Sequence, residues 1–207
     1  MGFENIFGEA KIDLSKVLCH SGGATGADTA WETLGIKYGV LTNAYSYKTE
    51  FHNSANKIEI TEEQYKEGID EVNKANRHLG RYGIHKYMNL LARDWSQIKP
   101  SEQIFAVGII VGPGKKSPKG YYSKSKYQTV DGGTGYGVMM GINHEKDVFV
   151  FDQDQAKWFR WSYATMSFLE LPDTPKITTE NFAGIGTRNL NDAGLQAIKN
   201  VYKKTFE

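Results

Sequence analysis

One local pattern occurs three times in this chain: an apolar segment ends, glycines follow, and a helix begins. It occurs at Ser21–Asp28 (SGGATGAD), at Asp131–Gly137 (DGGTGYG) and at Gly184–Asn191 (GIGTRNLN). Strand, glycine turn and helix in repeated succession build a parallel sheet with helices on its faces. Few other architectures accommodate that order.

The flanking segments agree. Lys16–Ser21 reads as a strand, and Ala27, Ala30, Trp31, Leu34 and Tyr38 follow helical spacing. Gly39 ends that helix and Val40–Tyr45 reads as the next strand, so residues 16–45 form a βαβ unit. Thr61 opens a helix whose apolar face carries Tyr65, Ile69, Val72 and Leu79; Gly80 and Gly83 break it. A second helix places Ile84, Met88, Leu91 and Trp95 at the same period. Gln103–Val111 is almost wholly apolar, as a strand covered on both faces must be. A helix to about Asn143, a strand Asp147–Asp152 and an aromatic strand Lys157–Ser162 follow, the last two as a hairpin. Asn181–Ile185 is a final strand, and Asn191 caps a final helix. The expected fold is a single Rossmann-like α/β domain over 1–207, an open, mainly parallel sheet flanked by helices with an added β-hairpin. Residues 46–100 read as a helical insertion and 112–130 as a basic loop.

Composition narrows the function classes. The chain has 207 residues, enough to bury a core without staples, and is 40% hydrophobic and 24% charged. Its formal net charge of +1 gives no global attraction to nucleic acid or an acidic membrane, so any anion site must be local. The single cysteine, Cys19, excludes an intrachain disulfide and reads as a buried, inert thiol. No stretch reads as a signal peptide or a bilayer span, so the expected location is the cytoplasm.

The glycine turns point to anion binding. Free N–H groups at a helix start carry partial positive charge, and glycine lets the backbone approach an anion closely. In a parallel sheet such turns gather at the carboxyl ends of the strands. The candidate ligand-binding residues are Ser21, Gly22, Gly23, Ala24, Thr25, Gly26 and Asp28 in the first turn. Asp131, Gly132, Gly133, Thr134 and Gly135 follow in the second, and Gly186, Thr187 and Arg188 in the third. Thr25, Thr134 and Thr187 offer hydroxyls, and Arg188 a bidentate phosphate contact. No P-loop pattern is present, and the strict GxGxxG fingerprint is absent at the first turn. His20, His52, His78, His85 and His144 lack metal-ligand spacing, and neither metal nor cofactor is expected. His20, beside the first turn, reads either as facing the ligand or as a packed histidine. Trp158, Phe159 and Trp161 read as core or interface aromatics. The lysines at 115, 116, 119, 124 and 126 read either as a solvated loop or as a lid over phosphates.

These turns resemble motifs of the SLOG superfamily, which includes DprA, the LOG phosphoribohydrolases and molybdenum-carrier proteins. SGGATGADTAW resembles its SG-x-x-x-G-x-D motif, VDGGTGYGVMMGI its GG-x-GT motif, and FAGIGTRNLNDAGLQAI its G-[ST]-R strand and helix. The last unit precedes the others in DprA-like proteins, so the resemblance implies a circular permutation with the C-terminal strand beside the first strand. The pattern is also similar to proteins of tailed bacteriophages, which would place the chain in a host cytoplasm. LOG enzymes carry a glutamate after GG-x-GT, where this chain has Gly137, Val138, Met139 and Met140.

The resemblance therefore implies a binder of a nucleotide-derived phosphate ligand, a cyclic nucleotide or an ADP-ribose-type signal, acting as a phage sponge that sequesters a defence signal. A LOG-like N-glycosidase or nucleotide hydrolase using Asp28 or Asp131 is the alternative, and a DprA-like DNA-binding module a weaker one. The resemblance also implies a homo-oligomer, a dimer or higher. Neither a membrane nor nucleic acid is the expected partner.

Overall fold

A computed structural model of the chain describes residues 12–207. Its elements, in chain order, are β1 (Leu18–Ser21), α1 (Ala27–Ile36), β2 (Leu41–Ser46), β3 (Lys57–Glu59), α2 (Glu62–Leu79), α3 (Met88–Ile98) and β4 (Gln103–Gly108). They continue with β5 (Ile110–Val111), β6 (Thr129–Val130), α4 (Thr134–Asn143), β7 (Asp147–Asp152), β8 (Lys157–Ser162), β9 (Ser167–Glu170), β10 (Asn181–Gly186) and α5 (Asp192–Phe206). The main sheet has eight strands in the order β3-β2-β1-β10-β4-β7-β8-β9. From β3 to β7 every pairing is parallel, while β8 and β9 add an antiparallel meander at the far edge. The fold is thus the expected Rossmann-like open sheet.

Alternation along the central strands makes two cores. Ile104, Ala106, Val148, Val150, Ala183 and Ile185 face α2, α3 and α4. Phe105, Val107, Phe149, Phe151 and Phe182 face α1 and α5. Both faces are apolar because helices cover both, the usual condition of a parallel sheet. Trp31 of α1 is fully buried against Phe105, Phe182 and Tyr202. Gly184 of β10 makes room for it: a Cβ there would lie 2.6 Å from the indole. Truncating such a side chain costs about 3–5 kcal/mol.

The stretch 46–100, read from sequence as a helical insertion, supplies the edge strand β3 and the two helices that cover one face of the sheet. A capping box at Thr61 and Gln64 starts α2, and Gly80 ends it in the left-handed conformation. The C-terminal strand β10 lies between β1 and β4, with Leu18 beside Asn181 and Phe182 beside Gln103. It therefore joins the two halves of the sheet. Among the described residues no helix is long and apolar enough to cross a membrane.

This order creates a switch point. From β1 the chain moves through α1 to β2 on one side; from β4 it moves through α4 to β7 on the other. The two crossover helices lie on opposite faces. A crevice opens where such connections diverge, outside the carboxyl ends of the strands. Here β10 ends in the middle of that crevice.

Candidate functional site

The crevice is a cleft of about 890 Å³. Its floor is formed by Asp28 at the start of α1, by Arg93, Asp94 and Gln97 of α3, and by the turn after β10, Gly186–Asn189. The α4 N-terminus, Gly132–Thr134, forms one wall. Leu79–Ile84, Tyr87, Leu90 and the segment Lys119–Lys124 form an apolar and aromatic mouth. Tyr82, Tyr87 and Tyr122 are exposed there.

The first and third glycine turns interlock. Gly26 has φ +104°, and a Cβ on it would lie 2.5 Å from the Thr187 carbonyl oxygen. The Ala27 amide donates to that carbonyl at 3.0 Å, the Thr187 amide to Val107 O at 2.9 Å, and the Thr29 amide to Ala24 O at 3.3 Å. The Gly186 amide donates to Asp28 Oδ1 at 3.2 Å. Ser21 is buried and donates to Gly184 O at 2.7 Å. The amides of Ala27, Gly186, Thr187, Asn189 and Asn191 are therefore used within the protein, while among the described residues those of Gly22, Gly23, Thr25 and Gly26 have no acceptor. Gly23 is packed under His52, and Thr25 accepts from Asn53 Nδ2 at 2.5 Å. Of the first turn, Ala24 and Asp28 reach the cleft; of the third, Gly186, Thr187 and Arg188 do.

The second turn differs. Its leading strand, β6, pairs only with β5 in a separate ribbon rather than in the main sheet. Arg81 braces it from below, donating to Gly132 O at 2.5 Å and Val130 O at 2.6 Å. Asp131 accepts from the Tyr121 hydroxyl at 2.6 Å. Among the described residues no side chain caps α4. Among the described residues the amides of Gly133 and Thr134 have no acceptor, and they lie on the cleft wall. Gly135 is buried behind them, too close to Val130 O for any side chain. The exposed lysine Lys119 brings its Nζ to Gly132, and exposed Arg188 also lines the cleft. Helix dipole, unspent amides and the nearby lysine are chemically suited to an anion.

The floor holds a group of which sequence reading missed Asp94 and Gln97 and could not place Arg93 by spacing. The Arg93 guanidinium is buried, 4% exposed, and lies on Gly22; a Cβ on Gly22 would meet Nη1 at 1.6 Å. Nη1 stands 3.4 Å from Asp94 Oδ1 and 4.0 Å from Asp28 Oδ2. It has no hydrogen-bond partner among the described residues. Gln97 Nε2 donates to Asp94 Oδ1 at 3.0 Å. Burial pushes the Asp28 carboxyl up to about 6, against the pull of Arg93. Burial likewise pushes Asp94 up to about 7, opposed by Arg93 and reinforced by the Asp28 charge. The signal in the sequence was a buried polar row, Arg93 and Gln97 at i and i+4, in an otherwise amphipathic helix.

No family model, no curated protein and no solved structure matches this chain.

The candidates His20, Cys19 and the aromatic row belong to the fold and not to the cleft. His20 is a packed histidine, bonded through both ring nitrogens to Tyr45 Oη and Asn181 Oδ1. Burial holds it below the usual histidine range. Cys19 is fully buried and its thiol is pushed up to about 12 by that burial, so it is inert. Trp158, Phe159 and Trp161 are buried in the two cores. Val138, Met139 and Met140 are buried residues of α4 itself. Among the described residues no three His, Cys, Asp or Glu side chains converge as a metal site would require. The lysine-rich segment is folded, not loose: β5 and β6 close its base, and Gln128 Oε1 accepts from the Phe168 amide at 2.7 Å.

Proposed function

We propose that this chain binds a nucleotide-derived phosphate ligand in the switch-point cleft. The supporting observation is the set of uncommitted donors at the α4 N-terminus, the Gly133 and Thr134 amides beside Lys119, in a cleft that Arg188 also lines. A phosphate or pyrophosphate is the group that satisfies paired amides and flanking cations together. The cleft is large enough for a nucleotide, and the tyrosines at its mouth offer stacking faces to a base. Calorimetric titration with ADP-ribose is the test. Saturable one-to-one binding is expected, weakening with salt and falling about tenfold or more in Lys119→Ala and Arg188→Ala. Binding unchanged in both variants would sink the proposed phosphate position.

A second reading, hydrolysis of the ligand at its N-glycosidic bond, draws on the acid pair Asp28 and Asp94. Two carboxyls raised toward neutrality in one cleft are suited to acid–base work. It predicts free base from a bound nucleotide, and loss of that product in Asp94→Asn.

A further inference from the structure

The phosphate site accounts for one wall of the cleft and leaves its floor without an occupant. The floor has a definite hydrogen-bonding pattern: the Asp28 carboxylate, then Arg93 Nη1, then the Asp94 carboxylate, with both acids within 4.0 Å of the same nitrogen. Asp28 Oδ1 is tied to the Gly186 amide, and Oδ2 stands 4.0 Å from Arg93 Nη1. Asp94 Oδ1 is tied to Gln97, and its other oxygen is left over. Two independent observations mark this as a ligand surface and not only an ion cluster. All three residues line the cleft. Arg93, 4% exposed, carries a nitrogen with no partner among the described residues. A buried donor left unsatisfied costs free energy that a ligand acceptor would recover.

Electrostatics decides what fits. One guanidinium against two carboxylates gives no surplus positive charge, so a phosphate placed here would meet carboxylate oxygens at close range. A neutral group with two donors flanking an acceptor satisfies the pattern. A vicinal diol is such a group: each hydroxyl donates to one carboxylate, and a hydroxyl oxygen accepts from Nη1.

We infer that Asp28, Arg93 and Asp94 form a subsite for the free vicinal diol of a ribose, so that the ligand is a ribonucleotide phosphorylated at its 5′ end only. This rests on the phosphate reading above and sets the ligand's direction: phosphate toward Gly133 and Thr134, diol on the floor, base toward the tyrosine mouth. It also separates the two ligand classes that the turns alone left open. A 3′,5′-cyclic nucleotide has one of the two hydroxyls esterified and would set its phosphate against the acids. An ADP-ribose-type ligand keeps its diols free.

The experiment is a set of titrations of the intact chain with adenosine 5′-monophosphate, its 3′-deoxy form and 3′,5′-cyclic adenosine monophosphate. The 5′-monophosphate should bind at least about tenfold tighter than either analogue, since each loses a charge-assisted hydrogen bond. In Asp94→Asn the gap to the 3′-deoxy form should shrink to within about threefold, through weaker binding of the monophosphate alone. If the cyclic or deoxy compound binds as well as the monophosphate to the unaltered chain, the diol subsite is wrong while phosphate binding stands. If none of the three binds saturably, the phosphate reading fails and the subsite with it.

Discussion

Asp94 carries a prediction that needs no ligand. Its carboxyl is raised to about 7 and that of Asp28 to about 6, each from an ordinary 3.8, with burial the first cause in both. The folded state therefore holds protons that the unfolded chain has released. Stability falls as pH rises from about 4 to about 7 and levels above that, the opposite of a salt-bridged carboxylate. Asp94→Asn removes its share of that slope. Urea midpoints at about pH 5 and about pH 8 should differ less in the variant than in the parent chain; an equal difference would show that Asp94 ionises normally. At this scale the sequence was partly legible. Asp28 stood in a recognisable motif. Arg93 and Asp94 did not, because their meaning depends on Gly22, whose missing side chain makes space for a guanidinium from a distant helix.

Among the elements, α4 does the most for the site, and its N-terminus is held from outside the helix. Arg81, just past the end of α2, donates both terminal nitrogens to carbonyls of the turn and lies over the Tyr136 and Tyr121 rings. Arg81→Met would leave those carbonyls unbraced while keeping most of the apolar stem. Faster amide hydrogen exchange over 130–134 is expected, with exchange in β4 and β7 unchanged. Uniform acceleration across the sheet would mean that Arg81 supports the whole fold and not this turn. The helices and central strands could be read from periodicity, since α2 has its capping box and β4 its unbroken apolar run. Strands β3 and β9, of three and four residues, could not. So short a segment has no period of its own, and only the neighbour that pairs with it makes it a strand. The glycines of the first and third turns were legible as turns, but not in how their donors are used. The amides of Ala27 and Gly186 meet a carbonyl and a carboxylate supplied by each other's loops.

For the molecule as a whole, the decisive feature is the last strand in the middle of the sheet. β10 joins β1 to β4 and ends at the point where the crossovers diverge, so the C-terminal segment both completes the core and furnishes the cleft floor. The resemblance to the DprA-like motif order, taken as a circular permutation, implied a strand returning beside β1. What covers each sheet face was not legible, since 46–100 reads alike as insertion and as layer until the sheet order is known. Recovering the bound molecule decides whether the cleft holds the proposed nucleotide-derived phosphate ligand. The purified chain is incubated with nucleotide-rich bacterial lysate, washed and heated, and the released small molecules are identified by mass spectrometry. The account predicts a 5′-phosphorylated ribonucleotide in near-stoichiometric amount, intact if the site only binds and as base plus sugar phosphate if it also cleaves. Release of no phosphate-bearing nucleotide above the level given by the Lys119→Ala, Arg188→Ala double variant would contradict it.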